Sequence, residues 1–253
     1  MSPAGDASSA SRSELRVVGT TVGREIELLL DRVAQAVGKR APRVLQVGSR
    51  SLVSDRNERN WRGLVGKRFA KGAHFAGIDL FEGTNVDHVL DICSAPSKLA
   101  STLGKDAFDL VICSHVLEHT REPARAASNI QSLLRPGGIG YVSTPWSQAF
   151  HATPDDYWRF SMRGLMLLFD KLEILSNFYS GGDVGLDVAY RIERDGKPEL
   201  EARAGAVEQG LFQVVLDHED NRAVLARQAT ERLPVSRTYL PTLFVNLIGQ
   251  LKA

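Results

Sequence analysis

Short apolar runs alternating with helical text restrict the fold of this chain more than any other feature. "PRVLQVGS" is stopped by Gly48, "HFAGIDL" reaches the acid Asp79, and "VDHVLDI" follows as a shorter third strand candidate. "FDLVICS" is an unbroken apolar run of the kind buried on both faces of a parallel sheet. The helical "REPARAASNIQSLL" behind it closes at "RPGG", Arg135 to Gly138, where a helix stop and a turn lead into the strand "IGYVSTP". Ahead of the first strand, "REIELLLDRVAQAVGKR" lines up Ile26, Leu29, Leu30, Val33 and Val37 on one helical stripe. Strand and helix in alternation mean βαβ units with right-handed crossovers, hence an α/β, doubly wound, Rossmann-like and mostly parallel sheet. In such a sheet ligands bind at the carboxyl ends of the strands.

A chain of 253 residues, 43% of them hydrophobic, can bury one sizeable core, so a single domain over 14–253 behind a disordered tail over 1–13 is expected. With 31 Lys+Arg against 30 Asp+Glu and no dense basic run, the sequence carries no electrostatic footprint for nucleic acid or anionic lipid. A small or neutral substrate is the better expectation. No apolar run approaches the roughly 18 residues of a membrane span, and "MSPAGDASSASRS" lacks the apolar centre of a secretion signal, so a cytoplasmic location is expected. Cys93 and Cys113 sit in apolar strand-like text without CxxC spacing and read as small core residues, not as a disulfide or a zinc site.

Over roughly Arg43 to Gly182 the text resembles the class I S-adenosylmethionine-dependent methyltransferases. The residues that carry the resemblance are "VLQVGSR", "GIDL", "VLDI", "FDLVICSHVLEH", "LRPGG" and "HATPDDYWRF", the last resembling a subgroup with a DYWRF loop associated with glycan tailoring. The resemblance implies S-adenosyl-L-methionine as cofactor. It places Gly48, Ser49 and Arg50 at the methionine moiety, Asp79 with Leu80 at the ribose, Asp91 and the backbone of Ile92 at the adenine edge, and Ser114 with His115 facing the transferable methyl group. The family's first motif carries an acid and two or three close glycines, whereas this chain has Gln46 and Gly48 alone, followed by "SRSLVSDRNERN". Gln46 can hydrogen-bond an ammonium group but brings no negative charge.

The residues by themselves say less. A carboxylate at a strand end suits a vicinal diol, because each oxygen accepts one hydroxyl proton, although a lone Asp79 serves equally well as a helix cap or loop acid. GxGxxG is missing, Asp79 lies well beyond the roughly 20 residues expected after that fingerprint, and no GxxxxGK[ST] occurs, which disfavours a nicotinamide enzyme and excludes a P-loop.

Methyl transfer from a sulfonium is an in-line displacement that needs a placed acceptor and, for a hydroxyl, somewhere for its proton to go. His151, on the loop after the fifth strand, is the first choice for that base, with an unperturbed pKa of about 6.5. His115 is its rival, and each of them could instead be a hydrogen-bonded structural histidine. Glu118 and His119 are read as structural. Asp155, Asp156, Tyr157, Trp158 and Arg159 form either a polyol-binding lip, with Asp155 and Arg159 on hydroxyls and an aromatic face on a sugar ring, or a helix-start brace with Trp158 and Phe160 in the core. A divalent cation, Mg²⁺ or Mn²⁺, held by Asp155 or Asp156 with His151 is chemically open. Beyond Asp183, "VAYRIERDGKPELEARAG" reads as a strand and turn, "HEDNRAVLARQATERL" as an amphipathic helix and "PTLFVNLIGQLK" as a terminal strand that completes the sheet. Residues 183–239 are read as a lid, an insertion or a homodimer contact. The expectation is an O-methyltransferase acting on a sugar hydroxyl of an oligosaccharide or polysaccharide, a mannoside by analogy. A small natural-product O- or N-methyltransferase and a noncatalytic cofactor-binding scaffold stay open.

Overall fold

The computed structural model describes residues 15–51, 61–69, 72–151, 154–181, 188–199 and 242–252. The first helix, α1 (Val22–Val37), starts where the Thr21 hydroxyl accepts from the Arg24 amide (3.0 Å) and stops at Gly38, whose φ of 63° ends the helical path. All five residues of its predicted stripe are buried, at about 1.5–3 kcal/mol of transfer free energy each. They pack with Trp61 and Val65 of α2 (Trp61–Arg68) against Val44 of β2 (Arg43–Val47) and Leu110 and Ile112 of β5 (Phe108–Ser114). Alternate residues of the same strands, Leu45, Val47, Val111 and Cys113, face the other layer, formed by α3 (Pro96–Leu103), α4 (Pro123–Leu133) and α5 (Met162–Leu168). Burial on both faces is why "FDLVICS" has no polar alternation beyond Asp109.

Strands β2, β3 (His74–Asp79), β4 (His88–Val89), β5 and β6 (Leu134–Ser147) pair in parallel, in the order β4-β3-β2-β5-β6. The doubly wound α/β expectation holds. Beyond β6 the sheet continues through β10 (Leu243–Leu251), antiparallel to both neighbours, then β7 (Leu172–Gly181), β8 (Ala189–Arg194) and β1 (Leu15–Thr20). A two-residue β9 (Lys197–Pro198) pairs with β8. The terminal strand thus completes the sheet from inside, between β6 and β7. Its buried Asn246 accepts from the Tyr141 hydroxyl (2.9 Å) and donates to Ser180 Oγ (2.9 Å) and the Phe178 carbonyl (3.3 Å). A one-residue slip would strand all three groups, so this asparagine holds the register.

Several elements depart from the sequence expectation. β1 is a partly exposed edge strand and β7 carries the mixed text "LEILSNFYSG", so neither shows a strong periodic signal. α2 and α3 are eight residues each, too short for one. "VDHVLDI" contributes only His88 and Val89, both exposed. The turn expected at Arg135–Gly138 is a bulge within β6: Phe108 pairs with Leu134 and Leu110 with Ile139, and Gly137 takes φ 77°. The tail 1–13 and "HEDNRAVLARQATERL" lie outside the described residues, and of 183–239 only 188–199 are described, extending the sheet edge. Among the described residues no helix is long and apolar enough to cross a membrane.

Cys113 is buried as expected, but Cys93 is only half-buried, its thiol 3.7 Å from the Glu122 carbonyl. Burial first, then the charges of Asp91 and Glu122, push that thiol up to about 11. Alkylation of Cys93 by iodoacetamide is therefore expected to be slow at neutral pH and to rise about tenfold per pH unit on the alkaline side. Fast, pH-independent labelling near neutrality would contradict this.

Candidate active site

The carboxyl ends of β2, β3 and β5 bring together Gly48, Asp79 and Ser114. Gly48 has φ 69°, and a Cβ there would lie 2.3 Å from Val116 Cγ2, so the turn closes only around glycine. The amides of Gly48 and Ser49 both donate to the Ile78 carbonyl (2.9 and 3.0 Å). The buried Ser49 hydroxyl has no hydrogen-bond partner, an unsatisfied group of the kind a bound ligand explains. Asp79 Oδ2 accepts from the Arg50 amide (3.2 Å) and Oδ1 from the Phe81 amide (3.1 Å), which fixes the carboxylate and leaves each oxygen capacity for one further donor. Leu80 and Phe81 beside it are exposed, and the Arg50 guanidinium lies 4.9 Å over the Phe81 ring. Asp91, also exposed, accepts from the Cys93 amide (2.7 Å). The Ile92 carbonyl is taken by Asn129 Nδ2 (2.7 Å), which also reaches the Ser94 carbonyl (3.0 Å). Asn129 thus anchors the loop between β4 and α3. Its signal was a polar residue on the apolar stripe of "AASNIQSLL".

Past Ser114 the chain turns sharply. His115 adopts φ 57°, a left-handed conformation that costs a non-glycine residue about 1–3 kcal/mol, and its amide donates to the Ser143 carbonyl (2.9 Å). The following single turn of 3-10 helix, Leu117–His119, carries Glu118, which is 0% exposed. Glu118 Oε2 accepts from Thr144 Oγ1 (3.2 Å), whereas Oε1 has no hydrogen-bond partner. That oxygen lies 3.6 Å from His115 Nδ1 and 3.9 Å from His119 Nε2. The His119 ring centre is 4.9 Å from that of His151, and His115 stands edge-on to Phe244 at 4.4 Å. Taking a carboxylate out of water costs several kcal/mol unless it is paired, so a half-paired Glu118 beside His115 and His119 makes this turn a candidate site, beyond the structural reading of Glu118 and His119.

The "HATPDDYWRF" loop folds back onto this centre. Its Tyr157 and Trp158 amides donate to the Glu118 carbonyl (2.8 and 3.3 Å), and Asp155 offers its carbonyl to His119 Nδ1 at 2.5 Å. The Asp156 side chain is 1% exposed and is clamped by Arg159, with Nη2 2.7 Å from Oδ2. This ion pair, first of all, holds the Asp156 carboxyl well below the usual carboxylate range. Arg159 also donates to the carbonyls of Gln148 (3.1 and 3.0 Å), Ala149 (3.2 Å) and Trp158 (2.8 Å). Of the two residues expected on sugar hydroxyls, Asp155 and Arg159, the structure engages Arg159 in bracing the loop together with Asp156. The brace is not the core motif expected either. Phe160 is buried, but Trp158 is 42% exposed, its indole N–H on the Thr120 carbonyl (2.8 Å), and the exposed Tyr157 accepts on its hydroxyl from Arg121 (3.0 Å). His151 is tied to Asp156, by its amide (3.0 Å) and by Nδ1 (3.3 Å). Neither Asp155 nor Asp156 joins His151 in a ligand cluster, since Asp155 Oδ1 accepts from the Asp156 amide (2.9 Å) and Asp156 is paired with Arg159. Among the described residues, the group whose ligand atoms converge is Glu118, His119 and His151.

Residues 21–180, more than half of the chain, match the model of a family described as "Methyltransferase domain". The chain belongs to this family. The glycine-closed turn, the unpaired Ser49 hydroxyl and the fixed Asp79 carboxylate all lie within the matched residues. A ubiquinone biosynthesis O-methyltransferase of Aromatoleum aromaticum is 32% identical to the methyltransferase over 130 residues, which are 46% of this chain and 50% of that protein. The match spans half the length of that relative. Among solved structures, the 1,6-didemethyltoxoflavin-N1-methyltransferase of Burkholderia thailandensis is 13% identical, with a TM-score of 0.47 and coverage of 91% of this chain and 83% of that one. A SAM dependent methyltransferase from Archaeoglobus fulgidus is 15% identical at a TM-score of 0.45, covering 88% and 93%.

Proposed function

We propose that this methyltransferase moves the methyl group of S-adenosylmethionine onto a hydroxyl oxygen, with His115 receiving the proton. The observation that carries the reading is the strained placement of His115, one residue from the Val116 that closes on Gly48 and 3.6 Å from the buried Glu118 carboxylate. In the step, the acceptor oxygen forms the new C–O bond, the methyl–sulfur bond breaks, S-adenosylhomocysteine leaves and the hydroxyl proton passes to the imidazole. Gly48, Ser49 and Arg50 hold the methionine end with Ser114, Asp79 takes the ribose diol beside Leu80, and Asp91 with the Ile92 amide meets the adenine. His151, held by Asp156, borders the acceptor, so the first choice of base passes to His115.

The acceptor we favour is a sugar hydroxyl. The polar half of the expected lip is internal, but Phe150, Tyr157 and Trp158 are 70%, 38% and 42% exposed and offer rings for the apolar face of a pyranose. A phenolic hydroxyl is the second reading, favoured by the relative named as a ubiquinone O-methyltransferase. The test is transfer of labelled methyl from S-adenosylmethionine to a panel of mannosides, other oligosaccharides, phenols and amines. Labelled sugar ethers are expected. Phenol ethers alone would replace the sugar reading with the second, and transfer to amines alone would overturn the hydroxyl chemistry.

A further inference from the structure

We infer that Glu118, His119 and His151 form a binding site for one divalent first-row transition cation, such as Mn²⁺ or Zn²⁺, beside the acceptor. A carboxylate and two imidazoles, each able to offer a lone pair, converge here. Their ligand atoms lie within 4.8 Å of one another, and the unpartnered Glu118 Oε1 belongs to a fully buried side chain aimed into the gap. Each imidazole has its Nδ1 against an oxygen: His119 on the Asp155 carbonyl at 2.5 Å, and His151 on the Ala149 carbonyl at 3.3 Å and Asp156 Oδ2 at 3.3 Å. A ring that donates from Nδ1 presents its Nε2 lone pair inward, which is how metal-ligating histidines are fixed by their outer partners. Where those lone pairs face one another, a cation between them removes their mutual repulsion, and a divalent ion can engage all three groups at once.

The donor set decides the class of ion. Two imidazole nitrogens and one carboxylate oxygen suit Mn²⁺, Fe²⁺, Co²⁺ or Zn²⁺, whereas Mg²⁺ and Ca²⁺ prefer all-oxygen shells. Bonds of about 2.0–2.2 Å would draw the ligand atoms inward by about an ångström, a shift the partly exposed His151 ring can make by rotating about its contact with Asp156. Three protein ligands leave open positions that an acceptor hydroxyl can take. That role, unlike the site itself, rests on the reading of the chain as an O-methyltransferase.

The experiment is calorimetric titration of Mn²⁺ and of Zn²⁺ into the chelator-stripped full chain, with S-adenosylhomocysteine titrated into the same samples. One ion per chain is expected, with affinity falling at least tenfold in Glu118→Gln and in His151→Ala while both variants still bind S-adenosylhomocysteine. Because Glu118→Gln alters a buried group, His151→Ala, on a partly exposed residue, keeps the test meaningful if the former does not fold. Bound Mn²⁺ should also give an electron paramagnetic resonance spectrum distinct from the free ion. No saturable binding in the wild type, or equal affinity in wild type and His151→Ala, overturns the site even if methyl transfer is found. A saturable ion without methyl transfer to any hydroxyl leaves the site standing and removes the O-methyl reading instead.

Discussion

Arg159→Ala is expected to lower the melting temperature by about 5–15 °C, following from a loss of about 2–4 kcal/mol when a buried carboxylate loses its partner. The Asp156 side chain is 1% exposed, and without the guanidinium its charge keeps only the His151 amide and ring at 3.0 and 3.3 Å. The double variant Arg159→Ala with Asp156→Asn should recover part of the loss, because no buried charge remains. The pH dependence has a definite sign. A carboxyl held below its ordinary value of about 3.9 stabilises the fold fully above that pH and loses its contribution as pH falls towards the folded value, so Asp156→Asn should flatten the acid limb of the stability curve. An unchanged melting temperature with a raised KM for a glycan acceptor would restore Arg159 to the substrate lip.

The second large effect is on turnover. His115→Asn should lower kcat by about 10²–10⁴ with little change in melting temperature, since asparagine tolerates the left-handed backbone at φ 57° but accepts no proton. The comparison with alanine is informative, because both variants remove the base and the imidazole 3.6 Å from Glu118 Oε1, whereas only alanine adds the cost of the left-handed backbone. A His115→Asn enzyme with near wild-type kcat would return the base to His151 or leave positioning alone as the source of rate.

In the parallel half, β2 and β5 were legible because they are buried on both faces, and β2, β3 and β5 end at residues that punctuate them, Gly48, Asp79 and Ser114. In the antiparallel half β8 and β10 were legible as strands, but β1 and β7 were not, since they mix polar and apolar residues and take partners from strands far along the chain. The same division runs through the site. Asp79 announces itself locally, as an acid at a strand end. The convergence of Glu118, His119 and His151 depends on a loop folding back over more than thirty residues, fixed by the Glu118 carbonyl accepting from the Tyr157 amide at 2.8 Å. Arg159 illustrates the limit most sharply. A guanidinium in a loop reads as a ligand contact until its neighbours in space, Asp156 and the Gln148 carbonyl, are known to occupy it.

The most direct test of the whole account is the affinity of S-adenosylhomocysteine, the spent cofactor, for the wild type and for Asp79→Ala by calorimetry. The Asp79 carboxylate is oriented by the Arg50 and Phe81 amides at 3.2 and 3.1 Å, and in the proposed function it accepts both ribose hydroxyls. Its removal should weaken binding by about 1.5–3 kcal/mol, more than tenfold, with the melting temperature of the free protein little changed. Equal affinity in the two proteins would contradict the placement of the cofactor at the β2–β3 edge, and with it the position of the methyl group on which every role assigned to the histidine cluster depends.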